Sequence, residues 1–246
     1  MSSAPWSLDG RAVLLTGVAG ALGVHVARAL TAAGARIYGV DRNRDNTERM
    51  RDEGVLSDVL IGDVTQSSFL DEIAQRWPDV DVLINNVGAA TSKTLADTSD
   101  DVLSAMLDVN LRPAVGLCRR IMPEMGRRGG GKVINIASVL ALHPVPTVAA
   151  YAASKAAIVG FTRSIALEYA PRRVQANVLA PGYLEASKNN DYFASEAGHR
   201  FVERFTPTNS IGTATALDGP VLFLASSMSD HVTGHVLIVD GGYSIW

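Results

Sequence analysis

Short runs of Val, Ile and Leu alternate along this chain with longer segments whose apolar residues recur at helical spacing. This alternation is typical of βαβ units, in which helices cover both faces of a parallel sheet. Strands are predicted at Ala12–Thr16, Arg36–Val40, Ser57–Ile61, Val80–Asn85, Lys132–Ala137, Gln175–Ala180 and His235–Val239. Helices are predicted at Gly23–Ala33, Asn46–Asp52, Ser67–Arg76, Asp100–Arg128, Tyr151–Tyr169 and Ala216–Ser227. The pattern predicts one α/β domain over residues 1–246, with a seven-stranded, parallel, doubly wound sheet.

One connection is much longer than the others. About 30 residues separate the sixth predicted strand from the last predicted helix. Such a length is unusual for an ordinary loop, and ligands of open α/β sheets bind at the carboxyl ends of the strands. We therefore expect residues 183–211 to form short helices that cover a substrate there.

Charge and composition exclude several classes of protein. The 246 residues carry 22 Lys+Arg and 25 Asp+Glu, a formal charge of −3, which argues against a nucleic-acid partner. The single cysteine, Cys118, forms neither an internal disulfide nor a cysteine-based zinc site. The histidines are scattered, so we predict no metal site. Without a signal-peptide pattern or an apolar run of spanning length, the prediction is a cytoplasmic protein with no membrane partner.

A turn of small residues follows the first strand and opens the first helix. It runs Thr16-Gly17-Val18-Ala19-Gly20-Ala21-Leu22-Gly23. Backbone N–H groups at such a turn can bind a pyrophosphate, which a side chain on Gly17 or Gly23 would keep away. The turn favours a dinucleotide site, although a tight βα turn can use glycines for its own geometry.

The end of the second strand supplies a carboxylate. Asp41 lies 24 residues after Gly17, where it can accept both ribose hydroxyls of an adenosine. A 2′-phosphate at ~4 Å would be repelled by on the order of 4 kcal/mol at an effective dielectric of ~20, so NAD is predicted over NADP. Arg42 either offsets part of this repulsion or is a solvated loop residue.

The chain resembles the short-chain dehydrogenase/reductase family over nearly its whole length. The matching pieces are Thr16-Gly17-x3-Ala21-x-Gly23, Asp63-Val64, Asn85-Asn86-Val87-Gly88, Asn110, Ser138, Tyr151-Ala152-Ala153-Ser154-Lys155, Pro181-Gly182 and Val239-Asp240-Gly241-Gly242. Ala21, Val87 and Ala186 replace a glycine, an alanine and a threonine that are usual in the family, and Ser187 lies beside the last of these. The resemblance implies a Rossmann fold that binds a nicotinamide dinucleotide. The predicted cofactor contacts are Gly17, Ala19, Leu22, Gly23, Asp41, Arg42, Asp63, Val64, Asn86, Val87, Gly88, Tyr151, Lys155, Pro181, Gly182 and Leu184.

Four residues form the predicted catalytic group. Tyr151 and Lys155 are four apart on one helix, so the ammonium can lower the pKa of the phenol from about 10 and make it a general acid or base. Ser138, after the fifth strand, can hold the substrate oxygen. By resemblance, Asn110 fixes a water that connects Lys155 to solvent. A Tyr–Lys pair alone is more often a half-buried ring beside a snorkelling cation. Here the pair occurs together with the nucleotide motifs, which favours catalysis.

The substrate is the least specified part of the prediction. Ser138, His143, Tyr183 and Tyr192 are candidate contacts for a small polar or cyclic secondary alcohol or its ketone. The end of the chain is similar to sugar-acid and polyol dehydrogenases such as gluconate 5-dehydrogenases, and also to 3-oxoacyl carrier-protein reductases. A third hypothesis is a non-catalytic nucleotide-sensing protein on the same fold. The resemblance also implies a homotetramer, or a homodimer, built on the predicted helices Tyr151–Tyr169 and Asp100–Arg128.

Overall fold

A parallel sheet of seven strands forms the centre of the computed structural model, which describes residues 4–185 and 190–245. The strands are β1 (Ala12–Thr16), β2 (Arg36–Asp41), β3 (Asp58–Ile61), β4 (Val82–Asn85), β5 (Gly131–Ile136), β6 (Val174–Pro181) and β7 (Val236–Val239). Their order in the sheet is β3-β2-β1-β4-β5-β6-β7. The predicted fold class is confirmed.

Nine helices accompany the strands in the described residues: α1 (Ala21–Ala32), α2 (Arg44–Asp52), α3 (Ser67–Arg76), α4 (Asp100–Asn110), α5 (Arg112–Arg127), α6 (Ala149–Tyr169), α7 (Asn190–Phe193), α8 (Glu196–Phe205) and α9 (Asp218–Ala225). Short helices, α7 and α8, do occupy the long segment after β6, as predicted for residues 183–211. A single 3₁₀ turn precedes α9, which is therefore shorter than predicted.

The sheet is buried on both faces because side chains of the central strands alternate between two apolar layers. Val13 and Leu15 of β1 pack in one cluster with Val26 of α1 and Leu224 of α9. Leu14 lies in the other cluster, with residues of α3 and α5. All five β1 residues are therefore buried, which explains the unbroken apolar run in the sequence.

The order of the strands determines where a ligand can bind. The chain moves outward from β1 to β2 and β3, then returns so that β4 pairs with the other side of β1. The loops after β1 and β4 consequently leave the sheet in opposite directions and open a crevice at their carboxyl ends. The predicted site residues follow strands at this edge.

One predicted helix is in fact two. The segment Asp100–Arg128 is divided at Leu111, which ends α4 and begins α5. Pro113 has no N–H to donate to the carbonyl of Val109, so the first helix cannot continue through it. Asn110 is therefore the last residue of a helix, and not a residue inside one.

None of the helices in the described residues combines the length and the apolar character that crossing a bilayer requires.

Candidate active site

The turn after β1 has the form expected of an anion-binding site. Gly20 precedes α1, no side chain caps that helix, and its first turn carries no acidic residue. Unpaired N–H groups and the helix dipole therefore make this end of α1 electropositive. The turn fits the pyrophosphate of a dinucleotide.

The glycines of this turn are required mainly by the protein's own backbone. A Cβ on Gly23 would lie 2.1 Å from the Gly17 carbonyl oxygen. Gly17 has a φ of 66°, and its Cβ would lie 3.1 Å from Asn86 Nδ2. A side chain at either position would therefore also meet the protein itself, at Gly23 within the turn and at Gly17 on the loop after β4.

Asp41 lies at the end of β2 and holds the glycine turn in place. One carboxylate oxygen accepts the Ala19 N–H at 3.0 Å, and the other accepts the Asn43 N–H at 2.9 Å. The carboxylate is thus fixed next to the turn, where a carboxylate selects the adenosine ribose. Arg42 is exposed beside it, and Leu22 is half-buried on α1.

Asn86 forms the opposite support of the same turn. Its side-chain Nδ2 donates to the carbonyls of Thr16 at 3.1 Å and Gly17 at 3.0 Å, and its backbone N–H donates to Thr16 Oγ1 at 3.1 Å. Val87 packs against the core between β1 and β4. These contacts tie the loop after β4 to the loop after β1.

The remaining predicted cofactor contacts lie at the same edge, and several have structural tasks. Asp63 is exposed and accepts the Thr65 N–H at 2.9 Å, whereas Val64 is buried. A Cβ on Gly182, after Pro181, would lie 2.7 Å from Asp240 Cα. The Leu184 side chain is buried in the core, and its backbone bridges to Gly212. Ala186 and Ser187 lie outside the described residues.

The predicted catalytic residues come together beneath the loop after β4. Lys155 is buried in α6, and its Nζ donates to the Ile136 carbonyl at 2.9 Å. A Cβ on Gly88 would lie 3.0 Å from Lys155 Nζ and 3.2 Å from Asn110 Oδ1. The absence of a side chain at Gly88 therefore leaves room for both groups.

Burial shifts the pKa values of Lys155 and Tyr151 in opposite directions. It lowers the pKa of Lys155 from 10.5 to about 8. Burial raises the pKa of Tyr151, on the same helix, above its usual 10.0, and the interaction with Ser138 opposes that rise. The expectation that Lys155 lowers the pKa of Tyr151 is wrong for the protein alone, because desolvation outweighs the other influences on the phenol.

Asn110 is held by the backbone of the loop after β4. Its Oδ1 accepts the Ala89 N–H at 2.7 Å, and its Nδ2 donates to the Ala89 carbonyl at 2.9 Å and to Ser154 Oγ at 2.8 Å. Ser154 Oγ in turn donates to the Tyr151 carbonyl at 2.7 Å. Both amide hydrogens of Asn110 are thereby used, so this side chain fixes Ala89 against the first turn of α6.

An open cavity of about 370 Å³ lies next to the loop that follows Ser138. Its lining residues are Leu142, His143, Pro144, Phe205 and Tyr243. The structure thus places His143 in a cavity, while Ser138 is itself buried and its Oγ accepts the Leu140 N–H at 3.1 Å.

Aromatic residues of the segment after β6 pack beside this cavity. Tyr183 contacts Phe193, Phe201 and Tyr243, with ring centroids 5.1, 5.4 and 5.4 Å away. Tyr192 packs on Phe193 and is 46% exposed. Sequence reasoning did not single out Phe205 and Tyr243 as pocket residues. Tyr243 directly follows the Val239–Gly242 piece that carried part of the resemblance, and this was the available signal.

A larger cavity, of about 580 Å³, is separate from these groups. It lies between Glu185, α7, α8 and residues 209–211. None of the four predicted catalytic residues lines either cavity, but only the smaller one is lined by the loop that follows Ser138. Size alone therefore does not locate the chemistry of this fold.

The fold and the site define a nucleotide-binding α/β oxidoreductase, and comparisons with known proteins narrow this class. A family model described as enoyl-(acyl carrier protein) reductase matches residues 17–244. The chain is 33% identical over 244 residues to the 2-dehydro-3-deoxy-D-gluconate 5-dehydrogenase of Bacillus subtilis, covering 97% of this chain and 96% of that protein. It is 30% identical over 241 residues to a 3-oxoacyl-[acyl-carrier-protein] reductase of Salmonella typhimurium, with coverages of 96% and 98%.

A solved structure agrees with these sequence relatives. The gluconate 5-dehydrogenase from Burkholderia cenocepacia, in complex with NADP and tartrate, matches with a TM-score of 0.91 and 36% identity over 98% of each chain. The chain belongs to the short-chain dehydrogenase/reductase family, and it is an NAD(P)-dependent oxidoreductase.

Proposed function

We propose that this protein is an NAD-linked dehydrogenase that interconverts a secondary alcohol and a ketone in a small polyhydroxylated acid, such as a sugar acid. The observation that carries the proposal is that Ser138 interacts with Tyr151, that Lys155 is buried one turn further along the same helix, and that the loop after Ser138 lines an open cavity. The volume of that cavity, about 370 Å³, suits a small substrate.

The chain's own residues supply the binding and the proton transfer. The N–H groups at the start of α1 bind the pyrophosphate, and Asp41 accepts the adenosine ribose hydroxyls. NAD, when bound, supplies the hydride acceptor at its nicotinamide. Ser138 holds the substrate oxygen, and Tyr151 removes the alcohol proton in oxidation or returns it in reduction.

Lys155 and Asn110 support these groups. Lys155 would donate hydrogen bonds to a ribose of the bound dinucleotide, and these acceptors would favour its charged form at neutral pH. That charge then favours the tyrosinate form of Tyr151. Asn110 fixes the Ala89 backbone and, through Ser154, the turn of α6 that carries Tyr151. The reaction therefore depends on groups from several loops at this edge of the sheet and from the helices α4 and α6.

The names of the relatives support a sugar acid as the substrate. The Bacillus protein and the Burkholderia structure are both named as dehydrogenases of gluconate-type compounds. A 3-oxoacyl thioester is the alternative substrate, since the Salmonella relative is named for that activity and has similar coverage. The two candidates differ in size and polarity, so one assay separates them.

The test is an alcohol and ketone panel with NAD(H) and NADP(H), followed by the absorbance of the reduced nucleotide. The panel includes D-gluconate, 2-dehydro-3-deoxy-D-gluconate, simple secondary alcohols and an acetoacetyl thioester. We expect oxidation of a sugar acid to be fastest. Tyr151→Phe should lower kcat at least about 100-fold while nucleotide affinity stays within about twofold. Binding of NADH without hydride transfer to any compound would instead support the nucleotide-sensing hypothesis.

Cofactor choice is tested separately, because the Burkholderia relative holds NADP and Arg42 lies beside Asp41 in this chain. We expect Asp41→Asn, which removes the charge and keeps an acceptor oxygen, to lower the NAD/NADP ratio of kcat/KM at least about tenfold. Asp41→Ala should lower the ratio as well, and should also weaken both nucleotides because Ala19 loses its acceptor. An unchanged ratio in both variants would remove Asp41 from the explanation of cofactor choice.

A further inference from the structure

The turn after β7 is shaped to bring one tyrosine into the cavity. Gly241 and Gly242 have φ angles of 64° and 90°, which other residues rarely adopt. Asp240 then accepts the N–H groups of Gly242 at 2.9 Å and Ser244 at 2.7 Å. Tyr243 lies between these two fixed positions and lines the cavity.

The segment after α8 closes the turn from the other side. A Cβ on Gly241 would lie 2.4 Å from Thr208 Oγ1, and one on Gly242 would lie 3.0 Å from Pro207 Cγ. The turn therefore packs directly on residues that follow α8, whose Phe205 also lines the cavity. The contact between the turn after β7 and the segment after α8 therefore fixes the position of Tyr243.

Tyr243 packs against other aromatic rings beside the cavity. Tyr183 meets it edge to face with ring centroids 5.4 Å apart, and Phe201 contacts both rings, at 5.4 Å from Tyr183 and 6.4 Å from Tyr243. Burial and the interaction with the Tyr243 hydroxyl both raise the pKa of Tyr183 well above its usual value, and the phenol of Tyr151 contributes to the rise. Tyr183 therefore remains a neutral phenol next to Tyr243.

A polar atom on a cavity wall near the reacting group can recognise a second oxygen of the substrate. His143 lies on the wall formed by the loop after Ser138, and Tyr243 lines the same cavity from the turn after β7. The rest of the described lining, Leu142, Pro144 and Phe205, offers apolar side chains. A plain alcohol would leave the tyrosine hydroxyl without a substrate partner.

We propose that the Tyr243 hydroxyl is a specificity-determining group, which donates a hydrogen bond to a substrate oxygen away from the reacting carbon and so selects polyhydroxylated alcohols. This inference rests on the proposed function, since it concerns the substrate of the same site. A pocket that hydrogen-bonds a substrate hydroxyl discriminates against analogues without it, because its own polar group then stays unpaired.

The experiment compares Tyr243→Phe with the wild type on two substrates and in one binding assay. For D-gluconate we expect kcat/KM to fall about five- to tenfold, the loss expected for one hydrogen bond between neutral groups. For 2-butanol, which has no second oxygen, kcat/KM should stay within about twofold. Calorimetric binding of D-gluconate to the protein saturated with NADH should weaken by a similar five- to tenfold factor.

Tyr169→Phe is the matched control. It removes the same hydroxyl at the far end of α6, where the ring contacts Arg172 at 5.0 Å, and should change none of these values. An equal effect of Tyr243→Phe on both alcohols would overturn the inference, as would unchanged gluconate affinity or a wild type that does not bind D-gluconate. The binding arm needs no turnover, so a failure of the proposed dehydrogenase activity is seen separately in the panel.

Discussion

Lys155 shows how a single residue in this site combines function with a cost in stability. The residue is 4% exposed, and its ammonium donates a hydrogen bond to the Ile136 carbonyl. A charge so far from water is costly unless an anion or several acceptors compensate for it. The burial of Lys155 therefore destabilises its charged form, which agrees with its lowered pKa.

This cost predicts a pH dependence of stability. The pKa of Lys155 is about 8 in the folded protein and 10.5 as the reference value, so the unfolded state binds more protons between these pH values. The penalty is fully present below pH about 8 and disappears as the pH rises toward about 10.5. We therefore expect the stability of Lys155→Met relative to the wild type to fall by on the order of 2 kcal/mol between pH ~7 and ~10.

Urea unfolding of the unliganded proteins at the two pH values measures this difference directly. Other titrating groups are shared by both proteins and cancel. Lys93→Met, at an exposed lysine, should follow the wild type at both pH values. Parallel pH profiles for Lys155→Met and the wild type would show that the folded-state pKa of Lys155 is not lowered.

At the same scale, the sequence indicated which residues form the candidate site better than it indicated how their surroundings affect them. Spacing and resemblance predicted four catalytic residues. The structure places Lys155 and Asn110 next to Gly88, and Ser138 next to Tyr151. The opposite direction of the Tyr151 pKa was not foreseeable, because it depends on burial. Residue spacing alone does not report how much water reaches a side chain.

At the scale of elements, the β1–α1 turn offers a matched pair of glycines. A Cβ on Gly23 would lie 2.1 Å from the Gly17 carbonyl oxygen and 2.8 Å from that of Val18, both backbone atoms. A Cβ on Gly20 would meet one atom, the Gly17 oxygen at 3.2 Å. Only Gly23→Ala therefore requires the turn itself to change shape.

We expect Gly23→Ala to lower Tm by at least about 4 °C and to weaken NADH binding at least about tenfold. Gly20→Ala should cost under about 1 kcal/mol of stability, the difference between these residues at a helix start. Thermal unfolding and NADH fluorescence titration of both variants provide the comparison. Equal effects of the two substitutions would contradict the steric explanation.

The ends of strands and helices were predictable where the sequence pattern itself changes abruptly. β1 and α3 have the predicted limits, because an apolar run and a clear periodic pattern end abruptly at each. The division at Leu111 was also encoded, in Pro113, but apolar periodicity continues across it. Phe205 and Tyr243, by contrast, meet only because α8 and the turn after β7 pack together, which no local pattern reveals.

At the scale of the whole molecule, the alternation of strands and helices was enough to predict the sheet, since right-handed βαβ connections allow few arrangements. This alternation does not indicate which surface of the protein contacts a second copy of the chain. Exposed small residues follow one face of α6, at Ala153, Ala156 and Gly160, and Leu167 on the same helix is 82% exposed. Small residues let helices approach closely, so this face suits contact between copies of the chain.

We expect the protein to be a homotetramer, or a homodimer, that uses this face. A Cβ on Gly160 would meet nothing within 4 Å in its own chain, so Gly160→Arg should leave the fold intact. Its long charged side chain should nevertheless separate two packed copies of α6 and reduce the mass measured by light scattering. Gln75→Arg, which adds the same side chain on exposed α3, should change neither mass nor circular dichroism. A monomeric wild type would contradict the predicted assembly, whereas an unchanged oligomer in Gly160→Arg would assign the interface to another face.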